Sequence, residues 1–151
     1  MKSILKIAAC ILLSGMPIFI SCKKYCDQPP RNYGDFRIVS RMDGKDLVFG
    51  ANKVYDKNRF KFYFLKGQDT TFLIYTPVKS SGIGYDSLVG VDLSWDPETA
   101  YMRLSDGDVD TFNITYQRQS SRCGNYTTIT SFRYNNLLVI PQSNGVYELK
   151  K

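Results

Sequence analysis

From Asp35 onward the chain is a succession of short apolar runs separated by turn residues, and the period within those runs is two. Phe60, Phe62 and Phe64 alternate with Lys61, Tyr63 and Leu65, the pattern of a strand with one buried face. In the run from Asp110 to Arg118, Phe112, Ile114 and Tyr116 share one face while Thr111, Asn113 and Thr115 share the other. Similar runs occupy Phe36–Arg41, Leu47–Phe49, Thr70–Thr76 (closed by Pro77), Ser87–Leu93, Tyr101–Leu104, Thr127–Tyr134, Leu137–Ile140 and Val146–Leu149. Asp43-Gly44, Asp106-Gly107 and Ser143-Asn144-Gly145 supply the positive φ that tight turns need, and Ser80–Gly84 reads as a loop. No segment carries a helical apolar stripe, and no internal repeat is visible. About eight to nine short strands joined by turns predict an all-β domain over residues 35–151, an antiparallel β-sandwich with a closed calycin-like β-barrel as the alternative.

The first residues follow a different pattern. Lys2 and Lys6 precede a nearly continuous apolar run, Ile7–Ile20, broken by Ser14, Gly15 and Pro17. That is the layout of a charged n-region followed by an h-region. A membrane-spanning helix needs about 20 apolar residues, and Pro17 interrupts the only candidate. Phe19-Ile20-Ser21-Cys22 resembles the lipobox of bacterial lipoproteins, with Phe19 in place of the usual leucine, a looser form common in Bacteroidota. The resemblance implies that residues 1–21 are a signal peptide removed before Cys22, and that Cys22 carries lipid. Residues 22–34, containing Pro29 and Pro30, then form a short tether. Such an anchor implies the cell envelope, at the outer membrane. Because Lys23-Lys24 follows Cys22 where some surface-exported lipoproteins carry acids, the periplasmic or surface facing stays open.

Cysteine count and charge refine this picture. Of the four cysteines, Cys10 leaves with the signal and Cys22 is lipidated, so Cys26 and Cys123 remain. An even pair in an oxidising compartment favours a disulfide, two free thiols being the alternative. Closing a loop of roughly 100 residues would stabilise the domain by about 4–5 kcal/mol. The formal charge is +6, and loss of Lys2 and Lys6 leaves it mildly positive. The cations form no stripe, so no nucleic-acid partner is expected.

The absence of histidine from all 151 residues removes Ser-His-Asp and Cys-His catalysis and histidine metal sites. No Gly-x-Ser-x-Gly elbow, phosphate-binding glycine loop or Cys-x-x-Cys pair occurs. The expectation is a non-enzymatic domain without a cofactor. Asp106, Asp108 and Asp110 resemble the opening of a calcium loop, but Thr111 and Gln117 stand where that motif needs Gly and Glu. The competing reading is a polar hairpin turn. Trp95, Tyr85, Tyr101 and Tyr126 are candidates for stacking against sugar rings, Trp95 because Trp95-Asp96-Pro97 reads as an exposed turn; core or turn packing is the plainer account.

Asp46-Leu47-Val48-Phe49-Gly50, Tyr101–Asp106, Asp108-Val109-Asp110-Thr111, Cys123 and Phe132–Asn136, in this order, are similar to a group of small Bacteroidota lipoproteins of uncharacterised role. The resemblance implies class and compartment and brings no catalytic residue. The functional expectation is a membrane-tethered binding or interaction domain for an envelope protein or glycan, with a carbohydrate-binding module as the alternative.

Overall fold

Alternation decides which side chains enter the core. A computed structural model of the chain describes residues 32–79, 86–121 and 124–151. Ten strands lie among them: β1 (Tyr33–Val39), β2 (Lys61–Lys66), β3 (Asp69–Leu73), β4 (Tyr75–Lys79), β5 (Asp86–Asp92), β6 (Thr99–Ser105), β7 (Asp108–Ser121), β8 (Gly124–Tyr134), β9 (Leu137–Leu138) and β10 (Tyr147–Lys150). They form a four-stranded sheet in the order β10-β1-β5-β4 and a six-stranded sheet in the order β3-β2-β6-β7-β8-β9. The two pack together as a sandwich and do not close into a barrel.

In β6, Ala100, Met102 and Leu104 point inward while Thr99, Tyr101, Arg103 and Ser105 point outward. Phe36 of β1 and Tyr147 of β10 meet Phe112 of β7 and Phe132 of β8 across the sheets. Ring centroids lie 5.2 Å apart for Phe36–Phe112, 5.3 Å for Phe36–Phe132 and 4.6 Å for Phe132–Tyr147. Each fully buried phenylalanine contributes up to about 3 kcal/mol of burial free energy. The Phe36 ring lies over Gly34, where an added Cβ would come within 2.4 Å of it. A side chain there would evict a core ring.

Several local expectations change. Leu47–Phe49 is not a strand, although the turn at Asp43-Gly44 does bring Asp46 back to a bridge with Val39. The Asp46 carboxylate accepts the backbone N–H of Val48 (2.9 Å) and Phe49 (2.8 Å), a local alternative to ladder pairing. The run Thr70–Thr76 is two strands: β3 ends the six-stranded sheet, the chain crosses at Ile74, and β4 edges the other. Pro77 lies inside β4 opposite Val89, which an edge strand tolerates because one of its sides needs no donors. Leu137–Ile140 shortens to β9. One pair departs from the antiparallel rule, since β10 runs parallel to β1, with Phe36 opposite Tyr147 and Val39 opposite Lys150.

Candidate functional site

The outward side chains of the six-stranded sheet form one continuous face with two halves. Register sets Phe72 beside Tyr63 and Tyr63 beside Tyr101 across β3, β2 and β6. Their centroids are 6.1 Å and 5.3 Å apart, and the Tyr63 and Tyr101 rings are stacked at 22°. The other half is polar. Thr99 stands opposite Asn113, Asn113 opposite Arg133, and Thr115 opposite Ser131.

A groove of about 660 Å³ opens over this polar half, lined also by Asp96, Glu98, Arg118 and Thr127. Its shape follows from strand lengths. β6 begins only at Thr99, whereas β7 and β8 continue past it as a two-stranded ribbon. A bulge between Thr115 and Tyr116 bends that ribbon. Within the groove, Asn113 Nδ2 donates to Thr99 Oγ1 at 3.4 Å. Asn113 Oδ1 is buried and has no hydrogen-bond partner among the described residues. Buried acceptors are nearly always satisfied, and leaving one unmet costs about 1–3 kcal/mol. Asp96 and Glu98 balance Arg118 and Arg133 in sign. Arg133 spends one N–H on the carbonyl of Asn136 at 3.1 Å.

Trp95 adjoins the groove through its neighbour Asp96 and is 69% exposed. Its turn is fastened from several sides. Asp96 Oδ1 accepts from Asn32 Nδ2 at 2.8 Å and from Thr127 Oγ1 at 2.7 Å. The Asp96 N–H donates to the Leu93 carbonyl at 2.9 Å, and the Leu93 N–H to that of Asn32 at 2.7 Å. Tyr116 donates its hydroxyl to the Pro97 carbonyl at 3.3 Å. Asp96 has φ of +48°, a left-handed conformation that aspartate tolerates better than most residues and that the surrounding bonds must hold. Burial, with the Asp96 charge adding to it, pushes the Tyr116 phenol well above its usual range.

The sequence-derived candidates separate. Trp95 is solvent-facing as its turn suggests. Tyr101 belongs to the outer aromatic row, and Tyr126 donates to Gln119 Oε1 at 2.7 Å on the ribbon. Tyr85, Cys22, Cys26 and Cys123 lie outside the described residues. Asp106, Asp108 and Asp110 are divided between two cationic systems. Asp106 pairs with Arg59 at 3.2 Å and with Arg103. Asp108 and Asp110, on one face of β7, share the Lys151 ammonium at 2.5 Å each. Tyr55 donates to Asp108 at 2.9 Å, and Tyr134 and Asn135 donate to Asp110 at 2.8 and 2.7 Å. Burial first, and these bonds second, push Tyr55 up to about 12 and raise Tyr134 further. Among the described residues no three acidic or cysteine side chains converge as metal ligands, and no helix is long and apolar enough to cross a membrane.

Asn113, Thr99, Glu98 and Arg118 were not singled out by sequence reasoning. The alternation around Phe112 places Asn113 on an outward face, but its partners come from strands whose register the sequence does not spell out. Comparison of the chain with protein-family models, curated proteins and solved structures finds no match in any of the three.

Proposed function

We propose that this protein is a lipid-anchored, non-enzymatic binding module of the bacterial cell envelope, and that the outer face of its six-stranded sheet engages an envelope protein or glycan. The observation that carries the reading is the groove over the polar half of that face, lined by Asp96 of the pinned turn that carries the exposed Trp95. A solvent-facing indole held on a pinned turn, one residue from a groove-lining carboxylate, offers a partner a flat apolar surface that needs little ordering. The anchor rests on the lysine-flanked apolar run and Phe19-Ile20-Ser21-Cys22. In this reading Cys22 carries the lipid at the outer membrane and Cys26 pairs with Cys123.

Two measurements test it. The intact mass of protein extracted from its own membranes should fit residues 22–151 plus lipid and rise by about two daltons on reduction; a full-length, unlipidated mass would remove the anchor. A photo-crosslinking residue at Thr115 should give adducts in intact cells that the same residue at exposed Val54 does not. Unmodified monomer from both positions would remove the binding face.

A further inference from the structure

The chemistry of the groove narrows what it binds, on the reading that this face is the binding surface. We infer that the groove beside Trp95 takes a neutral oligosaccharide. Five features converge on that class. The exposed indole of Trp95 is a flat apolar surface of the kind against which the C–H face of a pyranose ring packs, and its turn is held by Asn32, Thr127 and Tyr116 before any ligand arrives. Little ordering is then left to be done on binding. Thr99, Thr115 and Ser131 line the groove, and each hydroxyl can both donate to and accept from a sugar hydroxyl.

Charge argues the same way. Asp96 and Glu98 cancel Arg118 and Arg133 along the groove. A polyanion would be repelled by the first pair and a basic peptide by the second. A ligand built of uncharged hydroxyls can accept from the arginines and donate to the carboxylates. Size is consistent: about 660 Å³ falls within the roughly 300–1,000 Å³ of small-molecule sites. The face also continues. Tyr101 lies two residues beyond Thr99 on the same side of β6, about 7 Å along the strand at ~3.4 Å per residue, which places the aromatic row where the next sugar units would run.

The chain contains a single tryptophan, so its emission reports on Trp95 alone. The full chain in detergent is titrated with maltohexaose, cellohexaose, mannohexaose, laminarihexaose and the neutral oligosaccharides released from the producing cell's envelope. Polygalacturonate serves as the polyanionic comparison. The inference expects a saturable change in Trp95 emission, and reduced quenching by acrylamide, with at least one neutral glycan. Asn113→Leu should weaken that binding about tenfold or more, a change readily resolved in the titration. Trp95→Ala, followed by calorimetry, should abolish it while the far-ultraviolet spectrum stays that of the parent. Tighter binding to polygalacturonate than to every neutral glycan overturns the assignment. So does the absence of any signal with folded protein. In that second case crosslinking from Thr115 separates the two levels: a protein adduct keeps the binding face and removes the sugar, and monomer alone removes both.

Discussion

Asp96 is the residue on which the Trp95 turn depends, and a graded series of substitutions separates its two contributions. Its carboxylate accepts from Asn32 and Thr127, and its backbone sits at φ +48°. In Asp96→Ala the Asn32 amide keeps a partner, because it already donates to Thr127 Oγ1 at 2.6 Å. The Thr127 hydroxyl is the donor left without an acceptor. A hydrogen bond to a charged group is worth about 1.5–3 kcal/mol, and a left-handed alanine costs about 1 kcal/mol more. The sum is about 3 kcal/mol. Asp96→Gly removes the backbone term and should cost about 2 kcal/mol. Asp96→Asn keeps an acceptor and a side chain that tolerates this conformation, so the loss of charge should cost about 1 kcal/mol. Urea unfolding followed by far-ultraviolet circular dichroism gives the stabilities, and the emission maximum of Trp95 reports the turn itself. The order expected is Asn, then Gly, then Ala in increasing damage. If alanine proves as stable as asparagine, or glycine less stable than alanine, the turn is not held in the way described.

Other expectations follow from the core and the charged seam. Phe112→Ala, which empties the centre of the inter-sheet aromatic cluster, should cost about 3–5 kcal/mol in urea, whereas Phe72→Ala on the outer face, 61% exposed, should stay within about 0.5 kcal/mol. Lys151→Met leaves Asp108 and Asp110 without the ammonium they share and should cost about 2–3 kcal/mol, the partial exposure of the lysine reducing the penalty of a fully buried pair; a loss below about 0.5 kcal/mol would show that water already screens the seam. Tyr55, Tyr116 and Tyr134 all have raised pKa values because burial favours the neutral phenol. Their contribution is therefore complete below the ordinary tyrosine value of about 10 and is lost as pH rises from there toward the folded values, near 12 for Tyr55. Thermal melts should be flat to about pH 10 and decline between about pH 10 and 12, and Tyr134→Phe should flatten the decline.

The parts of this fold that were legible in the sequence are those governed by nearest neighbours along the chain. Phe62 is buried and Tyr63 faces outward as the alternation requires, and Asp106-Gly107 closes the β6–β7 hairpin with Gly107 at φ +82°. What escaped depends on contacts between distant residues. Nothing local marks Ile74 as the point where the chain changes sheets, and Pro77 reads as a terminator until β4 is known to be an edge. The candidate site shows the same division. Trp95 announces itself through the Asp96-Pro97 turn, whereas its place between Phe112 and Ile114 gives Asn113 an outward face and nothing that marks it as part of a site. The groove that Asn113 and Asp96 both line needs the register of β6, β7 and β8, the bulge at Thr115 and the reach of Asn32 and Thr127 to Asp96. The Asp106–Asp110 run resembles a cation loop until its distant partners are known: Lys151, 41 positions beyond Asp110, pairs with Asp108 and Asp110, and Arg59 with Asp106.

The parallel pairing of β10 with β1 has a mechanical consequence. β1 lies between two neighbours, bonded to β5 along Tyr33–Phe36 and to β10 along Phe36–Val39. A pull on the chain upstream of Tyr33, directed along the strand, would load both sets of bonds in shear, so they must slip together and cannot unzip one by one. Resistance to such a pull is a matter of unfolding rate and not of equilibrium stability. On the proposed anchoring through Cys22, a load on the domain would enter through β1, the strand bonded on both sides.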